Sequence, residues 1–246
     1  GAAGRVGEGL EDPVGGDRLH EHFGSRRSVE AQGTPFAPAS GYDVSMSSST
    51  AMASSSLPPS AVLYPDSDGQ PMAENTEQFA FIQTFQGNLD VLLPDFVAGD
   101  HLWYPVEGRP DLRIAPDVYV AMGRPKGHRG SYKQWLEADA PLSVVFEWWS
   151  PSNTFGDRVQ KLRFYERFGV QEFYAWDPLT RELSAFHREG QQLIPVNTEG
   201  GIISPLLGVR LDVQDGALRG WRPDGKPFLT VVEMDEARQR AELERD

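Results

Sequence analysis

The sequence predicts an α/β fold, a mixed β-sheet flanked by helices with a β-rich C-terminal part and a terminal charged helix. Three observations predict it. Runs of branched and aromatic residues at 142–148 and 171–176 alternate with segments whose apolar residues recur every three or four positions. Gly and Pro turns crowd residues 192–221, which read as short strands. Residues 230–246 are polar, with Glu interleaved among Arg, the pattern of a solvated helix.

The elements follow in order. Residues 75–89 carry Phe79, Ile82, Phe85 and Leu89 on one helical face, with Asn75 or Thr76 as the cap. Residues 96–106 and 112–122 read as two strands separated by a turn at Glu107-Gly108-Arg109-Pro110. Residues 131–137 read as a short helix and residues 142–148 as a buried strand. Residues 154–168 form a helix that Gly169 ends, since glycine adopts the left-handed cap at no steric cost. Two further strands, 171–176 and 183–188, join through Asp177-Pro178. Residues 1–60 differ from all of this. They are rich in Gly, Ala, Ser and charge, bury too little apolar surface to offset ordering entropy, and read as a disordered leader or linker. Met46 and Met52 are candidate translation starts. The expected organisation is therefore a leader at 1–60, a domain at 61–229 and a charged helix at 230–246.

Composition narrows the chemistry. The chain has 246 residues and no cysteine, which excludes disulfides, thiolate zinc sites and cysteine nucleophiles. A reducing, cytoplasmic setting is the expectation. No apolar run reaches the length of a membrane span, and the first residues lack the apolar core of a secretory signal. His101 and His187 stand alone, without metal-ligand spacing, so zinc is not expected. Phosphate-binding glycine loops are absent. The net charge of −13 opposes broad electrostatic capture of nucleic acid. It leaves open an acidic site whose charge a divalent cation offsets locally.

Three segments stand out chemically. Ala115-Pro116-Asp117-Val118-Tyr119-Val120 sets a carboxylate in an apolar strand. Val144-Val145-Phe146-Glu147-Trp148-Trp149 sets another in a still more apolar one. A lone carboxylate in such a run is expensive to bury ionised and calls for a partner, a metal or a raised pKa. On the following helix lies Lys161. Two carboxylates and a lysine are the residue types that metal-assisted phosphodiester cleavage needs: hard oxygen ligands for Mg²⁺ and an ammonium beside the attacking water. Simpler roles compete. Asp117 fits a turn or cap, Glu147 an ion pair, and Lys161 an i,i+4 pair with Asp157. Asp157 itself, three residues after Thr154, matches a capping box. The loop Gly123-Arg124-Pro125-Lys126-Gly127-His128-Arg129 is the best phosphate-contact patch in the chain, with an exposed charged loop as the plain alternative.

Several pieces recur in one order: Ala98-Gly99-Asp100-His101-Leu102-Trp103-Tyr104-Pro105, Ala115-Pro116-Asp117-Val118, Gly123-Arg124-Pro125-Lys126-Gly127, Phe146-Glu147-Trp148-Trp149-Ser150-Pro151 and Lys161-Leu162-Arg163-Phe164-Tyr165. With them, residues 64–233 resemble the Uma-two family of bacterial restriction-endonuclease-like proteins, in the PD-(D/E)-x-K nuclease superfamily. The resemblance implies a restriction-endonuclease-like core and a Mg²⁺- or Mn²⁺-dependent endonuclease acting on DNA. It implies Asp117 and Glu147 at the metal and Lys161 in catalysis, with Arg124, Lys126 and Arg129 on the backbone and pairing of two copies as a homodimer. The superfamily lysine lies two residues after the second acid, where this chain has Trp149. The family moves that role to the next helix, and Lys161 matches. Two alternatives stand beside it: a catalytically inactive nuclease-fold module for binding or regulation, and an assembly role for the acidic C-terminal helix.

Overall fold

The computed structural model describes residues 62–69 and 71–244. The leader expected at 1–60 lies outside the described residues. The first helix, α1 (Thr76–Leu92), starts at Asn75, whose side chain accepts from the Gln78 N–H. Strands β1 (Asp95–Gly99), β3 (Val118–Pro125), β5 (Val144–Trp148), β6 (Glu172–Asp177), β7 (Glu182–Glu189) and β8 (Gln192–Val196) form one sheet in the order β1-β3-β5-β6-β7-β8. Within this sheet, among the described residues, only β5 and β6 pair in parallel. The crossover between them is α2 (Phe155–Arg167), so a single helix-bearing connection fixes the centre of the sheet.

Alternation along the strands divides the core in two. Val118, Val120, Val144, Phe146, Tyr174 and Trp176 pack with Phe81, Phe85 and Leu89 of α1. Tyr119, Val145, Phe173 and Ala175 pack with Tyr165 of α2. Glu147 shares the parity of Val145 and Trp149, so its side chain falls on the α2 face. The charged C-terminal helix, α3 (Val231–Leu243), is capped at Thr230 by a capping box with Glu233. No described helix is long and apolar enough to cross a membrane.

Two expected elements form differently. The strand expected at 96–106 breaks after Gly99, because Asp100 turns into the left-handed region with φ 45°. A short β2 (Trp103–Tyr104) then pairs with β4 (Tyr132–Lys133). The Asp100 N–H donates to the carbonyls of Pro116 and Asp117, both at 3.1 Å, which delays β3 until Val118. Glycine at 99 makes this approach possible: a Cβ there would meet Ile82 at 2.8 Å and the Asp117 carbonyl at 3.2 Å. The short helix expected at 131–137 is β4 followed by one 3-10 turn, Gln134–Leu136.

The β-rich end forms a separate sheet from β9 (Ile202–Ile203), β10 (Arg210–Gln214) and β11 (Ala217–Trp221). Glu172 anchors its first segment. Its buried carboxylate accepts from the Tyr174 hydroxyl at 3.0 Å, the Ser204 hydroxyl at 2.5 Å and the Leu206 N–H at 2.8 Å. Removing this acceptor takes a partner from all three donors and leaves the Tyr174 hydroxyl only His187, 3.0 Å away. Glu172→Ala should lower unfolding stability by about 3 kcal/mol, measured by urea denaturation; a loss below about 1 kcal/mol would mean that Glu172 is not the anchor.

Candidate active site

The pairing of β3 with β5 matches Val118 to Phe146, which brings Asp117 and Glu147 to the same end of neighbouring strands. Asp117 is buried at the mouth of β3 and held from two sides. Gln78 of α1 donates its amide to Oδ1 at 2.9 Å, and the Trp148 N–H donates to Oδ2 at 2.6 Å. Glu147, 1% exposed, is held from α2. Lys161 donates its Nζ to Oε2 at 2.8 Å, and the Tyr165 hydroxyl donates to Oε1. Lys161 and Tyr165 stand four residues apart, one helical turn, so one face of α2 supplies both donors.

The start of α2 settles which carboxylate Lys161 meets. Thr154 and Asp157 complete a capping box, with the Asp157 carboxylate accepting from the Thr154 N–H and hydroxyl at 2.8 and 2.7 Å. Asp157 is thereby committed to the helix terminus, and Lys161 pairs with Glu147.

An open cleft of about 380 Å³ borders this cluster, lined by Asp68, Glu74, Gln78, Asp100, Asp117 and Lys161 among others. Burial pushes the Asp117 carboxyl up to about 7, and the Glu147 charge adds to that. Lys161 and the two donors pull it part of the way back. Burial also raises Asp100, to about 6, with Asp68 acting in the same sense. Burial works against the Lys161 ammonium, but Glu147 and Asp117 more than offset it and hold its pKa above the ordinary value. Glu74, at the rim, lies below its usual range because it accepts hydrogen bonds from Ser150 and Ser152.

The cleft presents oxygen donors, with no His or Cys lining it. That chemistry suits Mg²⁺ or Mn²⁺, which retain several waters and need only one or two protein carboxylates. No group of three or more His, Cys, Asp or Glu arranged to hold a metal occurs among the described residues. Asp68, Glu74, Asp100 and Asp117 are the carboxylates that line the cleft, and Glu147 lies behind it, bonded to Lys161.

A family model, Uma2, described as "Putative restriction endonuclease", matches residues 68–218, more than half of the chain. The chain belongs to the Uma2 family. Its cleft, with Asp117 and Lys161, and the enclosed Glu147 that Lys161 meets lie wholly inside the matched span. This Uma2 chain is also similar to a solved structure described as "a putative nuclease belonging to DUF820 from Anabaena variabilis ATCC 29413". The identity is 11%, the TM-score 0.40, and the match covers 56% of this chain and 77% of that one. No curated protein matches.

Of the residues singled out in the sequence, Asp117, Glu147 and Lys161 come together. Arg124, Lys126 and Arg129 do not line the cleft. Arg124 donates to the Glu137 carbonyl at 3.1 Å, and Arg129 grips the Glu137 carboxylate at 2.6 and 3.1 Å while covering the Phe96 ring. Lys126 pairs with Asp90 at 3.1 Å and is the most exposed of the three. Sequence reasoning missed Gln78, Asp100 and Tyr165. Tyr165 was detectable, one turn after Lys161. Asp100 left a faint sign after Gly99, and Gln78 left none.

The raised Asp117 pKa makes a pH prediction. Folding favours the protonated carboxyl, so the stability it contributes is fully present below the ordinary carboxylate range and is lost as pH rises. In EDTA, Asp117→Asn does not titrate at this position. The variant's Tm should therefore gain on the parent's as pH rises from about 4 to about 7; a Tm difference that stays flat, or moves the other way, would contradict the raised pKa.

Proposed function

We propose that this Uma2 protein is a Mg²⁺- or Mn²⁺-dependent endodeoxyribonuclease that hydrolyses DNA phosphodiester bonds. One observation carries the reading: a lysine ammonium bonded to one enclosed strand-end carboxylate, Glu147, while the lysine and the neighbouring strand-end carboxylate, Asp117, line an open cleft of oxygen donors. Asp117 and Glu147 would hold the divalent cation. When bound, such a cation offsets charge on the phosphate and acidifies water.

The chain's own groups do the rest. Gln78 and the Trp148 N–H fix the Asp117 carboxylate, and Tyr165 fixes that of Glu147. The Lys161 ammonium orients the attacking water and stabilises charge that develops on the phosphate oxygens. Water oxygen bonds to phosphorus and gives up a proton to solvent as the bond to the leaving sugar oxygen breaks, and the leaving oxygen takes up a proton from solvent. Arg124, Lys126 and Arg129 form a backbone-contact loop outside the cleft, with Lys126 the most available charge. The same reading has the protein acting in the cytoplasm and, for double-strand cutting, as a homodimer.

A second reading has its own support. All four oxygens of Asp117 and Glu147 already accept from protein donors, which suits an inactive nuclease-fold module.

Supercoiled plasmid with Mg²⁺ or Mn²⁺ separates the two. The parent should nick or linearise it, and EDTA should stop it. Glu147→Ala and Lys161→Ala should each lose about 10²-fold or more in rate while remaining folded. No cleavage across metals and substrates would favour the inactive module, and full activity in Glu147→Ala would move the chemistry elsewhere.

A further inference from the structure

Two other cavities adjoin the acidic cleft, and they differ in charge. One shares Trp148 with the cleft and has Glu77, Arg219 and Glu233 as its charged lining. The other is an open groove of about 460 Å³ that shares Met72 with the cleft. The boundary between cleft and groove runs through adjacent residues: Gln78 faces the cleft and Phe79 the groove, Asp100 the cleft and Gly99 the groove. Its walls come from α1, from β1 at the sheet edge, and from residues 127–129 of the basic loop. Among the described residues no Asp or Glu lines this groove, in a protein of net charge −13.

We infer that this groove is a binding site for an unpaired nucleic-acid strand that continues into the cleft. The inference rests on the nuclease reading and adds the path and state of the substrate. A polyanion whose phosphate lies among the cleft carboxylates has to leave through walls that do not repel it. The cavity bearing Glu77 and Glu233 has Arg219 against them and stays net negative, whereas the groove presents no carboxylate among the described residues. The groove also carries what a single strand uses. Phe79 and Met72 stay 40% and 51% exposed, an aromatic face and a thioether for bases that are not paired. Gln83, Gln86 and exposed His128 offer polar groups along the same walls. His101 contributes shape only. Its two ring nitrogens are engaged by the Tyr119 hydroxyl at 2.6 Å and the Arg129 carbonyl at 3.0 Å.

The test measures binding apart from cutting. Fluorescence anisotropy of a labelled oligothymidylate, with Ca²⁺ in place of Mg²⁺, gives Kd for the full chain and its variants. Phe79→Ala should raise Kd at least about fivefold through lost stacking. Gln83→Glu, which puts a carboxylate on the wall, should also raise it. Both residues are exposed, so Tm should not move, and neither should Mn²⁺ affinity by calorimetry. Parent-like oligonucleotide affinity in both variants overturns the groove. So does tighter binding of a duplex than of the oligothymidylate, because paired bases cannot stack on Phe79. If the parent cuts plasmid in either of those cases, the nuclease reading stands and only the groove falls. If the parent neither cuts plasmid nor binds either oligonucleotide, both fall.

Discussion

The site depends on keeping one carboxylate buried and ionisable at the end of a hydrophobic strand. Glu147 follows Val144, Val145 and Phe146, and its side chain is enclosed. An isolated charge there would cost several kcal/mol. Two donors from α2 make it tenable, Lys161 on one oxygen and Tyr165 on the other. That requirement sets the phase of the helix. Lys161 and Tyr165 must face β5, so the capping box at Thr154 and Asp157, which fixes where α2 begins, also fixes which residues meet Glu147.

The same sheet carries a second buried glutamate with a different outcome. Glu172 lies on β6, the parallel neighbour of β5, and is 3% exposed. Its donors are two buried hydroxyls and a backbone N–H, all neutral. Glu147 instead has a cationic partner that borders open space. A carboxylate with fixed neutral partners is a structural anchor. Glu147 instead meets the cleft through its ammonium partner. Burial alone does not separate them; the partners and the neighbouring space do.

Much of this was legible in the sequence, for definable reasons. The helices at α1 and α2 announced themselves through apolar spacing and caps, and β5 through its unbroken apolar run. Asp117, Glu147 and Lys161 were visible because each is a charge in an apolar or helical frame. The break after Gly99 was not, since it depends on α1 packing against that glycine and on Asp100 reaching the carbonyls of Pro116 and Asp117. Gln78 was silent for a similar reason. It is an ordinary polar residue in a first turn, and its role comes from a partner 39 positions away. The basic loop looked available in sequence because Glu137 and Asp90, which engage its charges, lie outside it.

The acidity of the chain opposes nucleic-acid binding when read as a total, but a total does not describe where the charges lie. Four carboxylates, from Asp68, Glu74, Asp100 and Asp117, line one cleft; burial is the main cause of the raised Asp100 and Asp117 pKa values, with Asp68 adding to the first and Glu147 to the second. Such a cluster is electrostatically unfavourable by itself and becomes favourable when positive charge enters. Lys161 supplies one such charge and leaves the cluster still net negative. The cleft therefore favours cations before it can tolerate a phosphate, whereas the adjoining groove has no carboxylate to neutralise. Negative charge concentrated where a cation can offset it, and absent from the path beside it, is compatible with a polyanionic substrate in a way that the same charge spread evenly would not be.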